Sequence, residues 1–264
     1  MTAPTCWWSW GYEATLNRLA LVYGDQIEVR LMLGTVYEDL TEWMKHYEIT
    51  NESWKDWAKE SAELMGLQIR TDYRPDNEPK NVLPASCAVL AGQKQGKAKG
   101  ARFMRAILRM FVVEGKDVTR REILLAAAKE ATLDERQFNR DFDDAKARKE
   151  EYDQQGEGFP HVPLGFYNLA ITDDGGRTVL LDNAFDPSLA EGAIDYLSGG
   201  HLTKKRPVNI TDYVREHGLT SSVEIARVFA MQESAAGEKL EELRKKGKIE
   251  KKMVAGAPLW QARG

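Results

Sequence analysis

Apolar positions near the start of the chain recur at helical spacing (Tyr12, Leu16, Leu19, Ala20, Tyr23), and Gly24 supplies a stop. The spacing predicts a first helix that begins beside Cys6. Residues 26–33 then alternate, with Ile27, Val29, Leu31 and Leu33 on one face, which predicts a strand. Helical periods return over residues 36–157. Thr50 precedes a helix bearing Trp54, Trp57, Ala58 and Leu64, and Pro75, Pro79 and Pro84 interrupt the block. Helices are expected at 85–95 and 101–113. Thr119 with Glu122, and Thr132 with Glu135, have the spacing of a capping box and predict two more helix starts. The last of these is rich in charge and is expected to reach Tyr152 with a solvated face.

The pattern changes after the GEGFP loop. Residues 164–172 and 177–183 read as strands joined by a turn at Asp173-Asp174-Gly175-Gly176. Asp186-Pro187 places an N-cap and a proline at the first helical position before a helix over 188–197. Ser198-Gly199-Gly200 and LTKKRP read as a linker. Helices over 210–216, 223–229 and 234–246 follow, then a strand pair over 248–254 and 259–261. Three helices and a hairpin in so few residues is a winged-helix pattern.

Composition narrows the class. At 264 residues, with 42% hydrophobic and 30% charged residues, the chain is an ordinary globular mixture of one or two domains. It has no apolar run of membrane-spanning length and no secretory leader, so a soluble cytoplasmic protein without membrane contact is expected. Two cysteines exclude a disulfide scaffold, and four scattered histidines give no metal-ligand spacing, so no metal is expected. Net charge is −4, but from Thr203 onward 13 basic residues face 8 acidic ones (+5), leaving −9 on the remainder. That asymmetry marks a domain boundary and an anionic partner for the tail, DNA among the candidates. Lys245, Lys246, Lys248, Lys251 and Lys252 would contact phosphates. They would do so from the helix end and the wing; against this, Glu233, Glu238, Glu241 and Glu242 on the would-be recognition helix repel phosphate, so a protein contact or dimerisation is an equal alternative. GQKQGKA (residues 92–98) lacks the spacing of a phosphate loop and reads as a solvated loop.

The candidate chemistry sits at Cys6. A thiol at a helix N-terminus meets unpaired N–H groups and the positive end of the macrodipole, which stabilise the thiolate. Three residues on, Ser9 stands where a second thiol would complete C-x-x-C. Its hydroxyl can hydrogen-bond a thiolate but cannot resolve a mixed disulfide. Val162-Pro163 opens a strand. A cis proline there would present the Val162 backbone to an extended ligand segment.

Together PTCWWSWGYE (residues 4–13), LPASCAV (83–89), FVVEGKDVT (111–119) and HVPLGF (161–166) resemble the DsbA family of the thioredoxin superfamily, including its hydroxychromene-carboxylate isomerase-like branch. The resemblance covers residues 1–198. It implies an α/β thioredoxin-like fold interrupted by an all-helical insertion, to which the C-terminal winged-helix domain is added. The expected division is 1–35 with 158–199, an insertion over 36–157, and 205–264. It carries over Cys6 as nucleophile, Ser9 at the resolving position and Val162-Pro163 as the cis-proline loop. Trp7 and Trp8 are candidate substrate contacts, Trp10 core or cleft, and Cys87 a candidate resolving thiol. The chain departs from the family at Trp7, where proline is common, at Ser9, and at Ala14. The family also has a strand before the motif, so either the sheet lacks its first strand or the chain starts late.

Three function classes follow. The first is a monothiol thiol-disulfide oxidoreductase acting on a protein disulfide or small thiol. It needs no cofactor beyond a low-molecular-weight thiol such as glutathione as external resolver. The alternative is a redox-sensing or redox-inactive adaptor that binds protein or DNA through the thioredoxin groove and the winged helix. The third, which the resemblance allows, is a glutathione-type isomerase or transferase.

Overall fold

The computed structural model describes residues 2–34, 39–70, 81–144, 148–151, 169–182, 184–207, 209–254 and 256–263. By internal contacts the chain forms two compact units. One gathers Met1–Trp10, Leu31–Leu64 and Gln68–Tyr167; the other gathers Gly11–Arg30, Met65–Leu67 and Asn168–Gly264. Helix α1 (Trp7–Tyr23) contributes its first turn to the first unit and the rest to the second.

In the first unit Thr2 and Leu33 form a parallel bridge, in which the Thr2 N–H donates to Met32 O at 2.8 Å and the Gly34 N–H to Thr2 O at 3.0 Å. The strand expected over 26–33 is therefore corrected. Gly24–Gln26 is a 3₁₀ turn, and strand pairing among the described residues starts only at Leu33. The alternation was real, but it reports which side chains are covered and not whether a neighbour supplies hydrogen bonds. Ile27 packs on the Leu19–Val22–Tyr23 cluster without a ladder.

Helices α2 (Leu40–His46), α3 (Asn51–Met65), α4 (Leu83–Gln93), α5 (Lys97–Val112), α6 (Arg121–Glu130) and α7 (Glu135–Asp143) complete this unit. Helix α4 is apolar all round, and its residues from Ala85 to Gly92 are buried, as a central core helix requires. It packs on α5, whose Phe103 meets Phe138 of α7 with ring centroids 5.1 Å apart. Burial of each such side chain contributes about 1.5–3 kcal/mol. The Thr132–Glu135 capping box does not form. Asp134 caps α7 by accepting from the Gln137 N–H at 2.7 Å, and Thr132 instead sits at φ 57° just past α6. Helix α7 ends at Asp143, short of Tyr152, although residues 148–151 are again helical.

In the second unit β1 (Leu169–Thr172) and β2 (Thr178–Leu181) pair antiparallel in the register Leu169–Leu181 to Thr172–Thr178. Asp173 holds the turn by accepting from the Arg177 N–H at 2.8 Å and its Nε at 2.6 Å. Helix α8 (Pro187–Ser198) begins at the expected Asp186 cap and ends at Gly199 in the left-handed region. Then come α9 (Ile210–His217), α10 (Ser222–Val228), α11 (Glu233–Lys245), β3 (Ile249–Val254) and β4 (Ala257–Ala262). Thr220 adds an antiparallel bridge to Trp260. Tyr213, Ile225, Val228, Leu240, Ile249 and Trp260 form the core, which Ala14 of α1 joins.

The segment expected as a linker is tied down within this unit. Gln26 and Thr203 exchange hydrogen bonds at 2.8 and 2.9 Å, and the Lys205 N–H donates to Val22 O at 2.6 Å. Lys204 bridges Glu191 at 2.8 Å and Asp195 at 3.2 Å, and Glu191 also binds Arg18 at 2.6 Å. Its bond to Glu191 first, and the neighbouring carboxylate and phenol, hold the Lys204 ammonium charged well beyond its ordinary range. A basic run reads as solvent-facing in sequence, but here its polar groups are spent on α1, the 3₁₀ turn after it and α8.

Candidate functional site

The site is the first turn of α1. The Cys6 N–H donates to Ala3 O at 3.2 Å, and Ser9 reaches back so that its Oγ accepts from the Ala3 N–H at 3.1 Å. This closes a tight N-terminal cap on the C-x-x-S motif. The result is a sealed site: Cys6 is 8% exposed and Ser9 6%. Two effects compete at the thiol. Burial pushes it up. The Ser9 and Trp8 backbone N–H groups and the Ser9 hydroxyl pull it down, and burial wins. The helix N-terminus does offer donors to a thiolate, as the sequence suggested. The expected lowered thiol is nevertheless corrected, because too little water reaches the sulfur to stabilise its charge.

Aromatic packing surrounds the neighbouring tryptophans of this turn. Trp7 is buried against Trp54 at 4.7 Å and Trp57 at 5.0 Å, and Trp57 stacks on Trp43 at 5.6 Å. Trp10 is buried beneath the Arg105 guanidinium, 5.3 Å above its ring. Trp8 is half-buried. Sequence reasoning placed Trp54 and Trp57 only as one helix's apolar face. Their three-residue spacing was the available signal, since it puts both rings on one side of α3.

Cys87 is buried in the middle of α4, and neither it nor Cys6 is in a disulfide. Val162 and Pro163, with His161, lie outside the described residues. The five C-terminal lysines are unequally placed. Lys246 binds Glu242, Lys252 lies 3.3 Å from Glu250, and Lys251 lies 3.8 Å from Glu241 and over the Trp260 ring. Lys245 and Lys248 are exposed. Among the described residues no cluster of three or more His, Cys, Asp or Glu side chains is arranged to hold a metal ion, and no helix is long and apolar enough to cross a membrane.

A helix-capped C-x-x-S motif beside a parallel bridge defines the class. The thioredoxin family profile matches residues 1–155, and the chain belongs to that family. It is similar to the ClpXP adapter protein SpxH of Halalkalibacterium halodurans, 23% identical over 255 residues, 94% of this chain and 82% of that protein. SpxH of Bacillus subtilis is 25% identical over 146 residues, 55% of this chain and 48% of that protein. Among solved structures, the cytosolic disulfide reductase DsbM from Pseudomonas aeruginosa aligns with a TM-score of 0.55 at 23% identity, covering 74% of this chain and 96% of that one. A putative protein disulfide isomerase from Nitrosomonas europaea aligns with a TM-score of 0.57 at 23% identity, covering 75% and 95%. The α/β thioredoxin-like fold is thereby established.

Proposed function

We propose that this chain is a protein adapter: its thioredoxin-like portion holds a partner protein and does not turn over disulfides. The observation that carries this reading is the burial of Cys6. Burial favours the protonated thiol over the thiolate, and the position that would hold a resolving thiol is Ser9. Thiol–disulfide exchange needs a thiolate with access to the target sulfur. The relatives named as ClpXP adapters support the same reading, and a work site in the cytoplasm is part of it. In this proposal the C-terminal segment is a winged-helix module, supported by its order of helix, bridge, helix, helix and hairpin. It serves protein contact and not DNA, since Lys246, Lys251 and Lys252 are already matched by glutamates.

A second reading rests on the N–H groups of Trp8 and Ser9 facing Cys6. If a partner's arrival opened the site, the Cys6 thiolate could attack a protein disulfide. One S–S bond would break, a mixed disulfide would form, the partner's thiolate would leave, and an outside thiol such as glutathione would release Cys6.

One comparison separates the two. The chain and its Cys6→Ala variant are used as bait in cell extract without added reductant, so that any mixed disulfide on Cys6 survives until elution. The adapter reading expects the same partners at the same yield from both. Partners recovered only by the chain with Cys6 intact, and released by reductant, would replace it with the oxidoreductase.

A further inference from the structure

A groove of about 650 Å³ opens in the C-terminal segment, within the size range of ligand sites. Its floor is apolar and comes from three places: Ile210 on α9, Phe229 and Met231 in the turn between α10 and α11, and Leu243 on α11. All four are half-buried side chains packed on the outer edge of the core. Its rim is basic. Arg206, Lys239 and Lys248 are exposed; none of them forms a close ion pair among the described residues, although Lys239 acts electrostatically on Glu242. The one acid on the lining, Glu242, is taken by Lys246. A second recess of about 340 Å³ shares Asn209, Thr211 and Lys248 with the first and adds Arg263. Its acid, Asp212, is likewise bound, by Arg215 at 2.6 Å.

We infer that this groove docks a short acidic amphipathic segment of a partner protein. Apolar side chains of the segment would settle on Phe229 and Leu243, and its Asp and Glu residues would meet Arg206, Lys239 and Lys248. Charge complementarity selects the occupant. Cations without a close ion pair ring an apolar floor, whereas Lys251 and Lys252 on the hairpin lie near glutamates of their own. A duplex offers phosphates but nothing to cover four half-buried apolar side chains, so an acidic peptide fits better than nucleic acid. The inference names a partner chemistry for the adapter reading and rests on it for its biological use.

The test measures fluorescence anisotropy of a labelled 16-residue peptide on the full chain. The peptide carries Leu and Phe at helical i, i+3, i+4, i+7 positions and Asp or Glu elsewhere. The expected result is saturable binding that weakens as salt rises. It falls at least about tenfold in K239E/K248E, the loss of roughly 1.4 kcal/mol, is unchanged in Cys6→Ala, and is absent for a Lys-substituted peptide. Both reversed lysines are exposed, so circular dichroism should be unaltered; Phe229→Ala provides an independent loss through the floor. No binding, equal binding by K239E/K248E, or displacement of the peptide by duplex DNA would overturn the inference. Peptide binding without Cys6-independent partner capture would instead sink the adapter reading and leave the groove standing.

Discussion

Cys6 shows how a single atom's surroundings override its position in a motif. Placement at a helix start was legible from CWWSW; burial was not, because this turn packs against residues distant in sequence, as where Trp7 meets Trp54 and Trp57 some fifty residues on. Burial lifts the folded-state thiol above its unfolded value, so the folded chain holds that proton more tightly. The stability this confers is present below the free-thiol range of about pH 8.5 and is lost as pH rises through the folded-state value. Denaturant midpoints should therefore fall above about pH 8.5, and Cys6→Ala should flatten that fall; an equal fall in both proteins would contradict the assignment. A second residue with a local consequence is Ala230, which holds φ 50° between α10 and α11. An L side chain is disfavoured there by about 1–2 kcal/mol. Ala230→Gly is expected to raise stability by about 0.5–1 kcal/mol, read from urea midpoints at unchanged slope. Tyr213 carries the opposite sign. Its hydroxyl donates to the buried Glu224 carboxylate at 2.5 Å and accepts from Asn17 at 3.0 Å. Tyr213→Phe should cost about 1–3 kcal/mol by removing that donor.

Elements were legible where a local signal set them. The Asp186-Pro187 start of α8, the Asp173 turn and the three C-terminal helices all rest on caps and periods within a few residues. What failed depended on partners distant in sequence. Residues 26–33 alternate correctly but lack a ladder before Leu33, and the basic LTKKRP segment docks on the end of α1 through Val22 and on the following 3₁₀ turn through Asp25 and Gln26. Thr132 lost its capping role to Asp134, two residues on, where the chain first turns extended. Gly11 inside α1 is another such case. Glycine costs about 1 kcal/mol in a helix interior, and the sequence offers no reason for it. In the structure a Cβ there would collide with the Met65 sulfur and the Phe185 ring. Gly11→Ala should therefore destabilise, by about 1–3 kcal/mol, despite its better helix propensity. A thermal scan showing Gly11→Ala more stable would mean that this packing is looser than described.

At the scale of the whole molecule, the uneven charge seen in sequence acquires a meaning that composition could not supply. Of the tail's cations, some are paired with Glu191, Asp195, Asp25, Glu241, Glu242 and Glu250, and Arg206, Lys239 and Lys248 lie on the rim of the apolar groove. The thioredoxin fold was reached in sequence through the Cys6 motif. That motif says nothing of whether the fold still exchanges disulfides, because access and protonation are properties of packing. The proposed adapter role requires that Cys6 stay protonated and sheltered. The rate of iodoacetamide alkylation of Cys6 between pH 6 and pH 10, with Cys87→Ser to isolate the signal, tests it most directly. Slow labelling is expected at neutral pH, rising only above the free-thiol range of about 8.5, with faster labelling on unfolding in urea. A rate already at its plateau near pH 7 would mean an exposed thiolate, and the adapter account would be wrong.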